Sequence, residues 1–305
     1  MKLADSAVGS RTAPAGVLLL GSLALFWGLS WVTIKIVLAE MPVLGFRTIC
    51  CMGGAVGALL LARIGGERIR LPRSEFLPVA LLGFLNVTLW QLFMAYGLRL
   101  LTAGHASIIA YTMPAFATLL GWLLLHERIT WARCCGLALS MAGLMVLVAP
   151  EYEKFAAAPA GVLLMVGAAA SWAGGTVGMK YFRWPFSVMQ NTGWQFLIGG
   201  IPILIAAVLS GTDLHLQELS TKAWICLVYV LACPILFCQW AWLKVVDMLP
   251  GSISAMGTLA IPVVGTLSGA ILLGERLGAA EIAALGLVVL GLALVALGPR
   301  GGRRQ

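Results

Sequence analysis

The chain has 305 residues, is 61% hydrophobic and only 10% charged, whereas a soluble domain carries about 25% charged residues. That composition excludes an ordinary soluble fold, and the lack of strict apolar/polar alternation argues against a membrane β-barrel. The net charge of +8 is spread among short connections between apolar runs, so no nucleic-acid partner is expected.

Apolar runs of about 20 residues, the length that crosses a bilayer, follow one another along the chain. They cover 15–39, 43–62, 76–98, 102–125, 133–149, 160–181, 186–209, 222–243, 251–273 and 279–298. The first has no small-residue cleavage site after a short apolar core and reads as a retained helix, not a signal peptide. The expected fold is an all-α membrane protein of ten transmembrane helices. All seven cysteines fall inside these runs without metal-site spacing and read as small buried hydrophobes. No Gly-rich phosphate loop, His/carboxylate cluster or nucleophile–base pattern occurs, so neither an enzyme nor a cofactor or metal is expected.

The chain repeats itself. Pro114 and the pair Glu127–Arg128 recur as Pro262 and Glu275–Arg276, and Gln91 recurs as Gln239, each 148 positions on. Trp27 and Lys35 have the same spacing as Trp172 and Lys180. Two five-helix units follow, 15–149 and 160–298, joined by the polar link 150–159. Five membrane crossings separate each residue from its counterpart, so the copies must be inverted about an axis in the membrane plane, as in secondary transporters. Fourteen of the 20 Lys and Arg residues lie on the side of the termini, which places both termini in the cytoplasm. The arginine-rich connection 63–73 is chiefly an orientation signal.

The segments His126-Glu127-Arg128-Ile129 through Gly136 and Gly143, and Gly274-Glu275-Arg276-Leu277 through Gly286 and Gly291, resemble the paired Glu-containing signatures of EamA-type repeats. With the ten runs, the chain resembles the drug/metabolite transporter superfamily over nearly its whole length. Within it, the chain is similar to bacterial amino-acid exporters, in particular aromatic amino acid exporters of the YddG type. The resemblance implies a central cavity bounded by spans 1, 3, 4, 6, 8 and 9, and export from the bacterial cytoplasm across the inner membrane.

Intramembrane polar residues should face protein or water, and they collect in those same six spans. Candidate substrate-binding residues are Ser30, Asn86, Gln91, Ser107, Tyr111, Thr176, Gln239, Ser254 and Thr258, with Lys180 as an attractor for a carboxylate. Trp27, Trp90 and Trp172 sit near mid-span, away from the interface that Trp131, Trp184, Trp224 and Trp242 fit. They serve either as helix packing or as a cavity wall for apolar groups. Ser107, Tyr111 and Pro114 share one helical face, and Pro114 and Pro262 read as mid-helix kinks. Lys35, Arg47 and His105 read as snorkelling or structural groups, or as attractors for a substrate carboxylate. Glu127 and Glu275 are expected at helix ends beside arginines. Gln190, Asn191 and Gln195 on span 7 do not fit the cavity pattern. Small residues in spans 5 and 10, among them Ser140 and Ala284, suit close helix packing.

The expected function is export of small metabolites, amino acids and aromatic ones among them, by a monomer embedded in lipid. No carboxylate lies at a span centre, which counts against proton-coupled export of drug cations and leans toward facilitated transport. Rival readings are a nucleotide-sugar-like or multidrug transporter, or a non-transport membrane subunit.

Overall fold

A computed structural model describes residues 4–126, 131–149, 159–182, 184–214, 216–248, 258 and 260–297. Among the described residues every regular element is helical. Glu127, Arg128, Ser254 and residues 150–158 of the link lie outside them.

The first half holds α1 (Ala4–Glu40), α2 (Val43–Ile64) and a long rod, Arg73–Leu100. That rod is α3 (Arg73–Gly83), a wide π-helical stretch (Phe84–Leu89) and α4 (Trp90–Leu100). Then come α5 (Ala103–Ala110), α6 (Met113–Leu125) and α7 (Trp131–Val148). The second half holds α8 (Ala160–Tyr181), α9 (Val188–Leu209) and α10 (Thr221–Val230). A second π stretch (Leu231–Phe237) leads into α11 (Cys238–Met248), followed by α12 (Ala260–Leu273) and α13 (Ala279–Leu297).

Among the described residues seven helices are long and apolar enough to cross a membrane; Cys134–Val146, Ala260–Leu273 and Ala279–Leu294 are shorter apolar helices. The outer faces are as apolar as the interior. Leu209 is 82% exposed, Ile271 79% and Leu77 76%, a distribution that suits lipid and not water. The chain is a multi-pass membrane protein. Cys134 is exposed on this surface, so the expectation that all cysteines are buried fails there: a thiol is apolar enough to face lipid.

Local chemistry sets the ends. Thr102, Ser187 and Ser220 accept hydrogen bonds from His105, Gln190 and Ala223 backbone N–H groups at 3.1 Å each, capping α5, α9 and α10. Two of the stops are followed by left-handed glycines: Gly211 has φ +61° and Gly274 φ +67°, values that glycine adopts without a steric penalty. The two carboxylate oxygens of Glu40, at the end of α1, accept from the Ser220 N–H and hydroxyl, both at 2.7 Å. Gln190 Nε2 donates to the Arg68 and Arg70 carbonyls at 3.0 and 2.9 Å, which ties the arginine-rich connection to the start of α9.

Packing crosses the halves. α1 lies on α10, α11 and α12, while α8 lies on α4, α5 and α6. α2 pairs with α9, and α7 with α13. Exchanging the halves leaves this pattern essentially unchanged. In the α7–α13 pair, a Cβ on Gly143 would stand 2.9 Å from the Ala284 carbonyl, as expected for small-residue packing. Gly286 is exposed and takes no part.

Candidate functional site

The two π stretches occupy equivalent places, one just before Trp90 and Gln91 and the other just before Gln239. π turns are rare and cluster at functional sites, because the extra residue re-aims the side chains that follow. The second contains Pro234, which lacks an N–H and so favours a loosened ladder.

The aromatic candidates divide into two groups. Trp90 on α4 and Trp172 on α8 meet with ring centroids 4.9 Å apart. Trp27 on α1 donates from Nε1 to the Pro234 carbonyl at 3.2 Å and stands 6.5 Å from Trp242. Trp242, the last residue of its span, thus also packs against the ring of Trp27. All four rings are only half-buried.

Beside the Trp90–Trp172 pair lies a chain of amides. Asn86 Nδ2 donates to Gln195 Oε1 at 3.1 Å, and Gln195 Nε2 donates to Asn191 Oδ1 at 3.1 Å. Asn191 Nδ2 and Gln195 Nε2 also point at the Met179 sulfur, at 3.3 and 3.4 Å. Asn86 lies against Gly175, one turn beyond Trp172, where a Cβ would overlap the amide. Asn86 Oδ1 is buried and has no partner. Residues 191 and 195, set aside on sequence, thus belong to the network. Asn191 is 1% exposed, so a position near the helix start was no guide to burial.

The remaining candidates differ in burial and partners. Ser107 is fully buried and its Oγ lies 2.8 Å from the Gly104 carbonyl and 3.4 Å from Thr266 Oγ1. Ser30 donates to the Trp27 carbonyl at 2.5 Å, and Thr176, which is exposed, to the Trp172 carbonyl at 2.9 Å. Lys180 is exposed at the end of α8. Gln91 is 7% exposed, and Gln239 is half-buried. Thr258 accepts at its carbonyl from the Ile261 N–H, at 3.1 Å.

The prolines are not mid-helix kinks. Pro114 stands in the first turn of α6, after the turn Tyr111–Thr112, and Pro262 in the first turn of α12. At such positions the missing N–H would have been unsatisfied anyway. The break at Tyr111 also ends the continuous face expected for Ser107, Tyr111 and Pro114.

Among the described residues Glu275 pairs with a lysine and not with an arginine. Its Oε1 lies 3.1 Å from Lys35 Nζ and accepts from the Ala103 N–H at 2.7 Å, and its Oε2 accepts from the Gly104 N–H at 3.0 Å. Lys35 also donates to the Leu101 carbonyl at 2.6 Å. Nearby, His105 Nε2 and Glu281 Oε1 are 3.0 Å apart. Lys35 and His105 thereby bind the ends of α1, α5, α12 and α13 together.

The comparisons agree with this architecture. The EamA-like transporter family model matches residues 14–149 and again 159–297. An uncharacterized transporter of Bacillus subtilis (strain 168), YvbV, is 31% identical over 289 residues, covering 94% of this chain and 92% of that protein. A probable amino-acid metabolite efflux pump of Escherichia coli (strain K12) is 29% identical over 283 residues, covering 90% of this chain and 92% of its own length. A solved crystal structure superposes with a TM-score of 0.64 at 23% identity, over 92% of this chain and 96% of that one; at that identity the likeness concerns the fold. With both halves matched by one family model, the chain belongs to the EamA-like transporter family.

Proposed function

We propose that this transporter exports amino acids, aromatic ones included, by alternating access. One observation carries the reading: a ring pair, Trp90–Trp172, adjoins an amide chain, Asn86–Gln195–Asn191. An apolar wall beside neutral hydrogen-bonding groups suits a small zwitterion with an apolar side chain. The efflux-pump names of two relatives point the same way.

In this reading residues 15–149 and 160–298 are inverted five-helix halves, and the three shorter helices complete ten crossings. The termini face the cytoplasm and the membrane is a bacterial inner membrane. Spans 1, 3, 4, 6, 8 and 9 rock about the substrate, with the α7–α13 pair as support, and the unit acts as a monomer. The exchange-symmetric packing of α1 and α8 supports this arrangement, because swapping the conformations of two inverted halves swaps the open side.

The test is flux of labelled phenylalanine and other amino acids from proteoliposomes. Flux of a cationic dye without flux of any amino acid overturns the reading. Trp172→Ala is expected to cut phenylalanine flux about fivefold or more at equal protein, since one aromatic contact is worth about 1 kcal/mol beyond its buried area. The same variant should affect alanine flux less; equal losses would assign Trp172 to packing.

A further inference from the structure

Arg47 has the largest side chain among those fully buried in the described structure, with 1% of its surface exposed. It stands in the second turn of α2, facing α4. Its Nη2 lies 3.2 Å from the Met94 sulfur, the Cys50 thiol sulfur also accepts from the guanidinium, and the guanidinium carbon lies 4.7 Å from the Phe46 ring centroid. Its Nε is buried and has no partner. Phe46, Cys50 and Cys51 around it are themselves buried. Among the described residues the ion pairs are Lys35–Glu275 and His105–Glu281, and neither includes Arg47.

The snorkelling expected from sequence is therefore wrong here. A guanidinium does not lose its proton in a protein, and a buried charge without a counter-charge costs several kcal/mol. A thioether and a thiol are weak acceptors and offset little of that. Such a group is held in place for an anion that arrives from outside the fold.

The facing helix carries a complementary orphan. Gln91 lies one turn before Met94 on the same face of α4, is 7% exposed, and has no partner for its buried Oε1. A free N–H on one helix and a free carbonyl oxygen on its neighbour match the two ends of an amino acid. The fork of a guanidinium also fits a carboxylate in two-point geometry. A single arginine suits one carboxylate and not a diphosphate.

We propose that Arg47 binds the substrate's α-carboxylate and that Gln91 Oε1 accepts from its α-ammonium. This rests on the amino-acid export reading above. In the present conformation Met94 covers Nη2; its unbranched, flexible side chain swings aside when the carboxylate enters. Trp90, next to Gln91, then borders the substrate's side chain.

The experiment compares phenylalanine with phenylalaninamide, which lacks the carboxylate, in proteoliposomes of wild type, Arg47→Lys and Arg47→Met. The wild type should prefer the acid. Arg47→Met should lower the acid-to-amide flux ratio about 100-fold, the size expected for loss of a buried charged contact, and Arg47→Lys should restore part of it. Without substrate, Arg47→Met should melt no lower than wild type, because an apolar group replaces an unpaired charge. Phenylalanine should raise the melting temperature of the wild type and not of Arg47→Met. An unchanged flux ratio, or a large fall in melting temperature with both fluxes lost equally, overturns the proposal and makes Arg47 structural. If the wild type moves neither compound, the export reading fails by itself. Arg47 is then judged by melting shifts with phenylacetate against phenylacetamide: a shift for the acid alone, absent in Arg47→Met, upholds the carboxylate site, and equal shifts overturn it.

Discussion

Glu275→Ala is expected to destabilise the protein by about 3 kcal/mol, read as a lower melting temperature in detergent. The estimate follows from what the carboxylate holds: the Lys35 ammonium and the N–H groups of Ala103 and Gly104. Removing one partner of a largely buried pair leaves the other desolvated without compensation. The Glu275 side chain is 10% exposed and that of Lys35 29%, so Lys35 recovers some hydration and the effect falls at the low end of the usual range. A double-mutant cycle separates the pair from the helix cap. Lys35→Met should cost less in the Glu275→Ala background than alone, and equal costs would mean that the ion pair contributes nothing. Because Glu275 comes from the second half and Ala103 from the first, loss of the clamp should also open that end of the bundle to a water-soluble thiol reagent, tested on a cysteine placed at Ala103.

Gly199→Leu should have a comparable or larger effect, with loss of the monodisperse peak in size-exclusion chromatography. A Cβ at Gly199 would overlap the Gly83 carbonyl and stand 2.8 Å from the Val87 Cβ. Backbone cannot yield as a flexible side chain can, and overpacking costs about 3 kcal/mol where the neighbours are fixed. The same approach lets Thr88 Oγ1 reach the Gly199 carbonyl at 2.5 Å, so separating α9 from the rod also breaks a buried hydrogen bond. Gly286→Ala is the contrast. Nothing stands within 4 Å of a Cβ there, and alanine should be neutral or raise stability by up to about 1 kcal/mol through helix propensity.

The apolar runs and the repeat were legible in the sequence because both are coarse. A 20-residue hydrophobic stretch survives local irregularity, and a 148-residue shift needs only a few matching letters. What escaped were features set by single residues meeting across the fold. The π stretches leave hydropathy unchanged, so nothing marked them. Pro114 looked like a kink because Tyr111 and Thr112 are too ordinary to announce a break between α5 and α6. Glu275 was matched to arginines nearby in sequence, yet its cation is Lys35, 240 positions away. Asn86 and Gln195 are 109 apart, and no local pattern joins them. The glycines at 83, 175 and 199 were the one available signal, since close backbone approach and a buried amide both need them.

The two wide turns also correspond in place. An α-helix becomes locally π when one residue is inserted and the surrounding turns are kept. Phe84–Leu89 and Leu231–Phe237 fall at the same offset within halves that match one family model. Matching irregularities at one offset are what the doubling of a unit that already carried the insertion would leave behind. The position that holds Asn86 in the first half holds Pro234 in the second, so the wide turn does not depend on one residue type there.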